Sequence, residues 1–118
     1  MTTIIYGIKN CDTMKKAFAW LEAKGVDYTF HDYKKDGVPT AKLKVWAKMV
    51  GWEKLLNTRG PTYRKVPEAE RENLNETRAI KLLEQVSSAI KRPIVESGGT
   101  LTVGFDPDNY VQAFGKKR

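Results

Sequence analysis

Thr3-Ile4-Ile5-Tyr6-Gly7-Ile8-Lys9-Asn10-Cys11 decides the architecture. Its first six residues are short, rich in β-branching and almost wholly apolar, the signature of a strand covered on both faces. Beyond a turn at Lys9-Asn10, Met14, Ala17, Phe18 and Leu21 recur at helical spacing, and Gly25 closes that helix with a left-handed cap. Val26, Tyr28 and Phe30 then alternate with Asp27, Thr29 and His31, which predicts a strand with one wetter face. Strand, helix and strand with joins this short form a right-handed parallel crossover.

Further along, the period changes twice. Leu43, Trp46, Ala47 and Val50 make a second helical stripe, continued by Trp52, Leu55 and Leu56, until Asn57-Thr58-Arg59-Gly60-Pro61 breaks it. Asn75 caps a third helix with a stripe of Ala79, Leu82, Leu83 and Val86. From Pro93 the period returns to two: Ile94-Val95-Glu96 and Leu101-Thr102-Val103-Gly104-Phe105 flank Ser97-Gly98-Gly99-Thr100 as a hairpin. Asp106 as cap and Pro107 at the first helical position start a last helix carrying Tyr110, Val111 and Phe114. The order βαβ–ββα, with a helical block between, is that of an α/β thioredoxin-like fold with a mixed four-stranded sheet and an α-helical insertion. One domain over residues 1–118 is predicted, with the core in 1–37 and 91–118 and the insertion in 38–90.

Composition narrows the function classes. The chain has 118 residues, 41% apolar and 30% charged, enough to bury a core without a disulfide or metal. One cysteine and one histidine exclude an internal disulfide and the usual multi-cysteine zinc site, so no metal is expected. No apolar run is long enough for a membrane span, and MTTIIYGIKNC lacks the basic start and apolar stretch of a signal peptide. A cytoplasmic monomer away from membranes is the expectation. The net charge of +7 permits anionic partners, but the cations are scattered and only Lys116-Lys117-Arg118 form a run, so nucleic acid ranks last among them.

Cys11 falls between a strand's carboxyl end and a helix N-terminus, where open α/β sheets place ligands. Free amides there favour thiolate, the nucleophilic form. Lys9, Lys15 and Lys16 would add to this and Asp12 oppose it. The plainer alternative is an inert cysteine packed as a small hydrophobe. Arg92 precedes Pro93 just before the third strand, where thioredoxin-type folds place a proline opposite the reactive cysteine. There Arg92 would stabilise the thiolate or clamp an anionic substrate; alternatively Pro93 is only a helix-to-strand breaker. Arg59 reads as a surface cation in its turn, His31 as part of an exposed face, and Trp20, Trp46 and Trp52 as packing.

The strings Tyr6-Gly7-Ile8-Lys9-Asn10-Cys11-Asp12-Thr13, His31-Asp32-Tyr33, Gly51–Gly60 and Lys91-Arg92-Pro93-Ile94 together resemble the arsenate reductase-like family, in particular its small bacterial branch of glutathione-dependent thiol reductases, the YffB type. The resemblance implies Cys11 as nucleophile, with Arg92 and Arg59 as catalytic ligands of thiolate or oxyanion. It departs from the glutaredoxin-linked arsenate reductases at Gly7, Lys15 and Val103-Gly104, where those carry a histidine and two arginines. It departs from the family's regulators at Met14, where they carry a second cysteine. The expected function is therefore thiol–disulfide exchange with glutathione as co-substrate and no tightly bound cofactor, and Asn10, Lys9, Lys15 and Pro93 complete the substrate surround. Glutaredoxin is a further candidate partner. The alternatives are a non-catalytic module docking on a protein such as RNA polymerase, or a weak arsenate reductase.

Overall fold

The computed structural model describes residues 3–9, 11–58 and 61–114, without the side chains of residues 61, 62 and 114. Four strands form one mixed sheet in the order β2-β1-β3-β4, from β1 (Thr3–Gly7), β2 (Thr29–Asp32), β3 (Ile94–Ser97) and β4 (Thr100–Val103). β1 lies inside the sheet, parallel to β2 and antiparallel to β3. Its β-branched residues suit that place, since both neighbours and both faces cover it. The pairs Ile5↔Phe30 and Ile5↔Val95 define one face, on which α1 (Asp12–Ala23) and α7 (Pro107–Phe114) pack through Met14, Ala17, Leu21 and Tyr110. Tyr6↔His31 and Tyr6↔Ile94 define the other face. This is the thioredoxin-like fold.

Gly25 has a φ of +71°, and the Val26 amide donates to the Leu21 carbonyl at 2.9 Å while the Gly25 amide donates to Glu22 at 3.1 Å. That Schellman closure folds Val26 back onto the core around Leu21. The strand predicted from Val26 therefore starts only at Thr29 and runs on to Asp32. The hairpin is tighter than the sequence suggests: Ser97 and Thr100 pair, leaving Gly98-Gly99 as the turn with φ of +52° and +85°. Positive φ at both positions is the primed turn that matches strand twist, and only glycine takes it without cost. Phe105 falls outside β4 and stacks edge-on against Tyr110 at 5.0 Å. Asp106 caps α7, accepting the Asp108 amide at 3.0 Å, but Val111 is exposed rather than part of the packed stripe.

Contacts divide the chain into two compact units, Met1–Asp36 with Arg92–Arg118, and Gly37–Lys91. In the second, α3 (Thr40–Val50) buries Leu43, Trp46 and Ala47. Gly51, at φ +94°, ends it, and Trp52–Leu55 form a separate 3₁₀ turn, so the predicted stripe from Leu43 to Leu56 is two elements rather than one. Asn75 caps α6 (Glu76–Gln85) by accepting the Arg78 amide at 2.9 Å. The buried set on α6 is Ala79, Ile80 and Leu83; Leu82 is half-exposed and Val86 terminates the helix. Leu82 instead lines a groove of about 410 Å³ with Val66, Leu74 and Arg78. The short helices α2 (Tyr33–Asp36), α4 (Pro61–Arg64) and α5 (Glu68–Glu72) carry too few turns to leave a periodic signal.

Candidate functional site

β1 ends at Gly7, and Cys11 is the N-cap of α1, in extended conformation with φ −143° and ψ 129°. Its carbonyl accepts the Lys15 amide at 3.0 Å, so the backbone already belongs to the helix while the side chain stands before the first turn. No side-chain cap hydrogen bond of ordinary geometry forms there, but the half-buried sulfur faces the helix amides that such a cap would satisfy. Burial pushes the thiol up. The Met14 amide, the Arg92 side chain and the Thr13 amide each favour thiolate, and together they outweigh burial, leaving the group below its ordinary value of 9.0.

Arg92 reaches the sulfur from the start of β3. The Arg92–Pro93 bond is cis, Pro93 is fully buried, and its carbonyl accepts the Gly104 amide at 2.8 Å. The backbone that carries the half-buried Arg92 is thus fixed against β4. Lys9 and Lys15 are exposed side chains, as are Lys16 and Asp12. Asn10 and Arg59 lie outside the described residues. Among the described residues, no group of three His, Cys, Asp or Glu side chains is arranged to hold a metal ion. No helix among them is long and apolar enough to cross a membrane.

A cluster that periodicity did not reveal occupies the second sheet face. Tyr6 donates to the Glu96 carboxylate at 2.8 Å, and its ring lies 5.1 Å from that of His31, which in turn is 6.0 Å from Tyr33. His31 is therefore half-buried between two tyrosines rather than part of an exposed face. Burial and the hydrogen bond to Glu96 hold the Tyr6 phenol well above its usual range. The available signal was the alternation Ile4, Tyr6 against Ile94, Glu96, a face of mixed polarity that reads as surface until something covers it.

Gly7 and Met14 are coupled. A Cβ placed on Gly7 would meet the Met14 thioether sulfur and come within 2.6 Å of its methyl carbon, and Met14 is fully buried. Met14 thus fills the space that a side chain at position 7 would claim, and its amide faces the Cys11 sulfur from the same turn. Two of the positions at which the chain departs from the resembled proteins, Gly7 and Met14, are thus one packing decision.

A half-buried thiol at the first turn of a helix, beside an arginine that precedes a cis-proline on a βαβ–ββα sheet, defines a thioredoxin-fold thiol protein. The ArsC family model matches residues 6–113, and the chain belongs to that family, the arsenate reductase-like proteins. It is similar to the solved YffB protein, 48% identical with a TM-score of 0.91 over 95% of this chain and 98% of that one. An arsenate reductase (ArsC) related protein from Brucella melitensis is 52% identical, with a TM-score of 0.77 over 98% of this chain and 96% of its own. The global transcriptional regulator Spx of Streptococcus pneumoniae is 25% identical over 89% of this chain and 79% of its own.

Proposed function

We propose that this protein is a cytoplasmic thiol oxidoreductase that exchanges disulfides with glutathione through Cys11. The observation that carries this reading is the Cys11 sulfur at the α1 N-terminus, held toward thiolate by two helix amides and Arg92 against the cost of burial. The thiolate attacks the glutathione sulfur of a mixed disulfide and releases the other thiol as thiolate, forming a Cys11–glutathione disulfide. A second glutathione thiolate then attacks that disulfide, giving glutathione disulfide and regenerating Cys11. The second thiol must come from solution, because the chain has one cysteine. Arg92 stabilises the attacking and departing thiolates; Arg59, Asn10, Lys9 and Lys15 are assigned to the glutathione carboxylates, and Pro93 to the wall beside the sulfur. Arsenate reduction is disfavoured because Gly7 stands where the glutaredoxin-linked arsenate reductases carry a histidine, and Met14 fills the space that such a side chain would need.

The test is the alkylation rate of Cys11 against pH, with Cys11→Ser as blank, followed by turnover of a glutathione mixed disulfide coupled to glutathione reductase. The expected result is a midpoint well below about 8.5, an upward shift in Arg92→Ala, and turnover abolished in Cys11→Ser. A midpoint at the ordinary value, or turnover unaffected in Cys11→Ser, refutes the proposal. The second reading, a docking module, is favoured by the regulator similarity; a partner retained equally by wild type and Cys11→Ser, without turnover, would establish it.

A further inference from the structure

Tyr33 is 3% exposed, and its hydroxyl is buried with no hydrogen-bond partner among the described residues. A buried hydroxyl in that state costs stability, and a partner gained in another state of the protein would favour that state. The topology indicates which group can reach it. β2 ends at Asp32, paired with Gly7, so Tyr33 stands one step past the paired end of β1 on one side. Arg92 lies two residues before Ile94, which pairs with Tyr6, and so stands just past the corresponding end of β3 on the other side. β2 and β3, the strands that the two residues adjoin, lie two strand spacings, roughly 10 Å, apart across β1, a gap that an arginine and a tyrosine side chain can span between them. The His31 ring contact keeps Tyr33 on the Tyr6–Ile94 face of the sheet. Burial raises the Tyr33 phenol far above its usual range and Tyr6 adds to this, while the Arg92 charge pulls it back, which puts the guanidinium within electrostatic reach.

While Cys11 is a thiolate, the Arg92 guanidinium donates to an anion; once Cys11 enters a disulfide, that negative charge is gone. Glu96, on β3, already accepts from Tyr6. We propose that Tyr33 is a positioning residue whose hydroxyl oxygen accepts from Arg92 when Cys11 carries a mixed disulfide, and thereby favours the disulfide-bonded state. The proposal rests on the exchange chemistry assigned to Cys11 above and extends it to the intermediate. Tyr33 is assigned no contact with the sulfur or a substrate and acts through Arg92.

The experiment equilibrates the protein with hydroxyethyl disulfide and mercaptoethanol at a fixed ratio and measures the bound fraction by mass spectrometry. The Cys11 thiolate attacks one sulfur of hydroxyethyl disulfide, the S–S bond breaks, and the departing thiolate takes its proton from solvent. Tyr33→Phe removes only the hydroxyl and keeps the ring beside His31. It is expected to lower the ratio of adduct to free Cys11 about tenfold, the effect of one hydrogen bond to a charged group, with an unchanged alkylation midpoint. In an Arg92→Ala background the same substitution is expected to move nothing. An unchanged adduct ratio, an effect that persists without Arg92, or a midpoint shift that accounts for it would overturn the proposal. A wild-type protein that ignores glutathione but forms the hydroxyethyl adduct loses the glutathione reading and still decides this one. A wild type that forms no adduct overturns both.

Discussion

Cys11 is held between opposing effects of similar kind. Withdrawal from water disfavours the thiolate, and three donors converging on the sulfur restore it. Two of the donors are backbone amides that every helix leaves open, so their contribution needs no particular side chain. The third, Arg92, is the one that substitution can remove. The balance carries a stability consequence whose sign follows from proton counting. Between its native value and the ordinary 9.0, the folded protein binds fewer protons at Cys11 than the unfolded chain does. Stability therefore rises with pH through that window and the gain is lost as pH falls below it. The thermal midpoint of wild type minus that of Cys11→Ser is expected to increase as pH rises toward the ordinary 9.0 of the thiol. A flat or falling difference would contradict the thiolate assignment without reference to any substrate.

At the scale of elements, the join between β1 and α1 is governed by Gly7 and Met14. The strand needs no side chain at its last residue, and the helix uses that space for a fully buried thioether one turn beyond Cys11. Gly7→Ala forces the Met14 tip to move within a closed core, and overpacking of this kind typically costs about 1–3 kcal/mol. Chemical denaturation is expected to show a loss in that range, and Gly7→Ala is expected to cost less in a Met14→Ala background than in wild type, where the Met14 tip stands in its way. An equal cost in both backgrounds would mean that the two positions are independent. The prediction separates packing from backbone freedom, since Gly7 is not among the glycines of positive φ.

For the whole molecule, charge is the property easiest to misread. The surplus of +7 comes from cations on both units: Lys15, Lys16 and Lys24 on and just after α1, and Lys42, Lys44 and Lys48 on α3. Lys48 lies 3.6 Å from Glu76, and Arg71 stacks 5.8 Å over Tyr63, so some of the charge is already engaged within the chain. Among the described residues, no helix carries a continuous basic stripe of the kind that tracks a phosphate backbone. A duplex of ordinary sequence is expected to bind no more tightly than the weak end of non-specific association, about 10⁻⁴ M at physiological salt. Titration by fluorescence anisotropy at two salt concentrations checks this; micromolar affinity with a steep salt slope would refute it.

Periodicity and turn chemistry alone determined the strand–helix–strand start, the Gly25 closure, the Asn75 and Asp106 caps and the closing hairpin, because each depends on neighbours a few residues apart. The same local logic placed Cys11 at a helix N-terminus and put a proline before the third strand. It erred where a distant partner or a single dihedral decides. Gly51 splits the predicted stripe from Leu43 to Leu56 by taking a φ that spacing does not encode. Val26 leaves its strand for the helix cap, and Ile80 rather than Leu82 turns inward, because tertiary burial chooses between adjacent apolar residues. His31, Tyr33, Tyr6 and Glu96 come together only because β1 pairs with both β2 and β3, bringing residues some ninety positions apart into contact. Covalent neighbours set what each segment can be; the sheet's long-range pairing sets which side chains surround the sulfur and the arginine beside it.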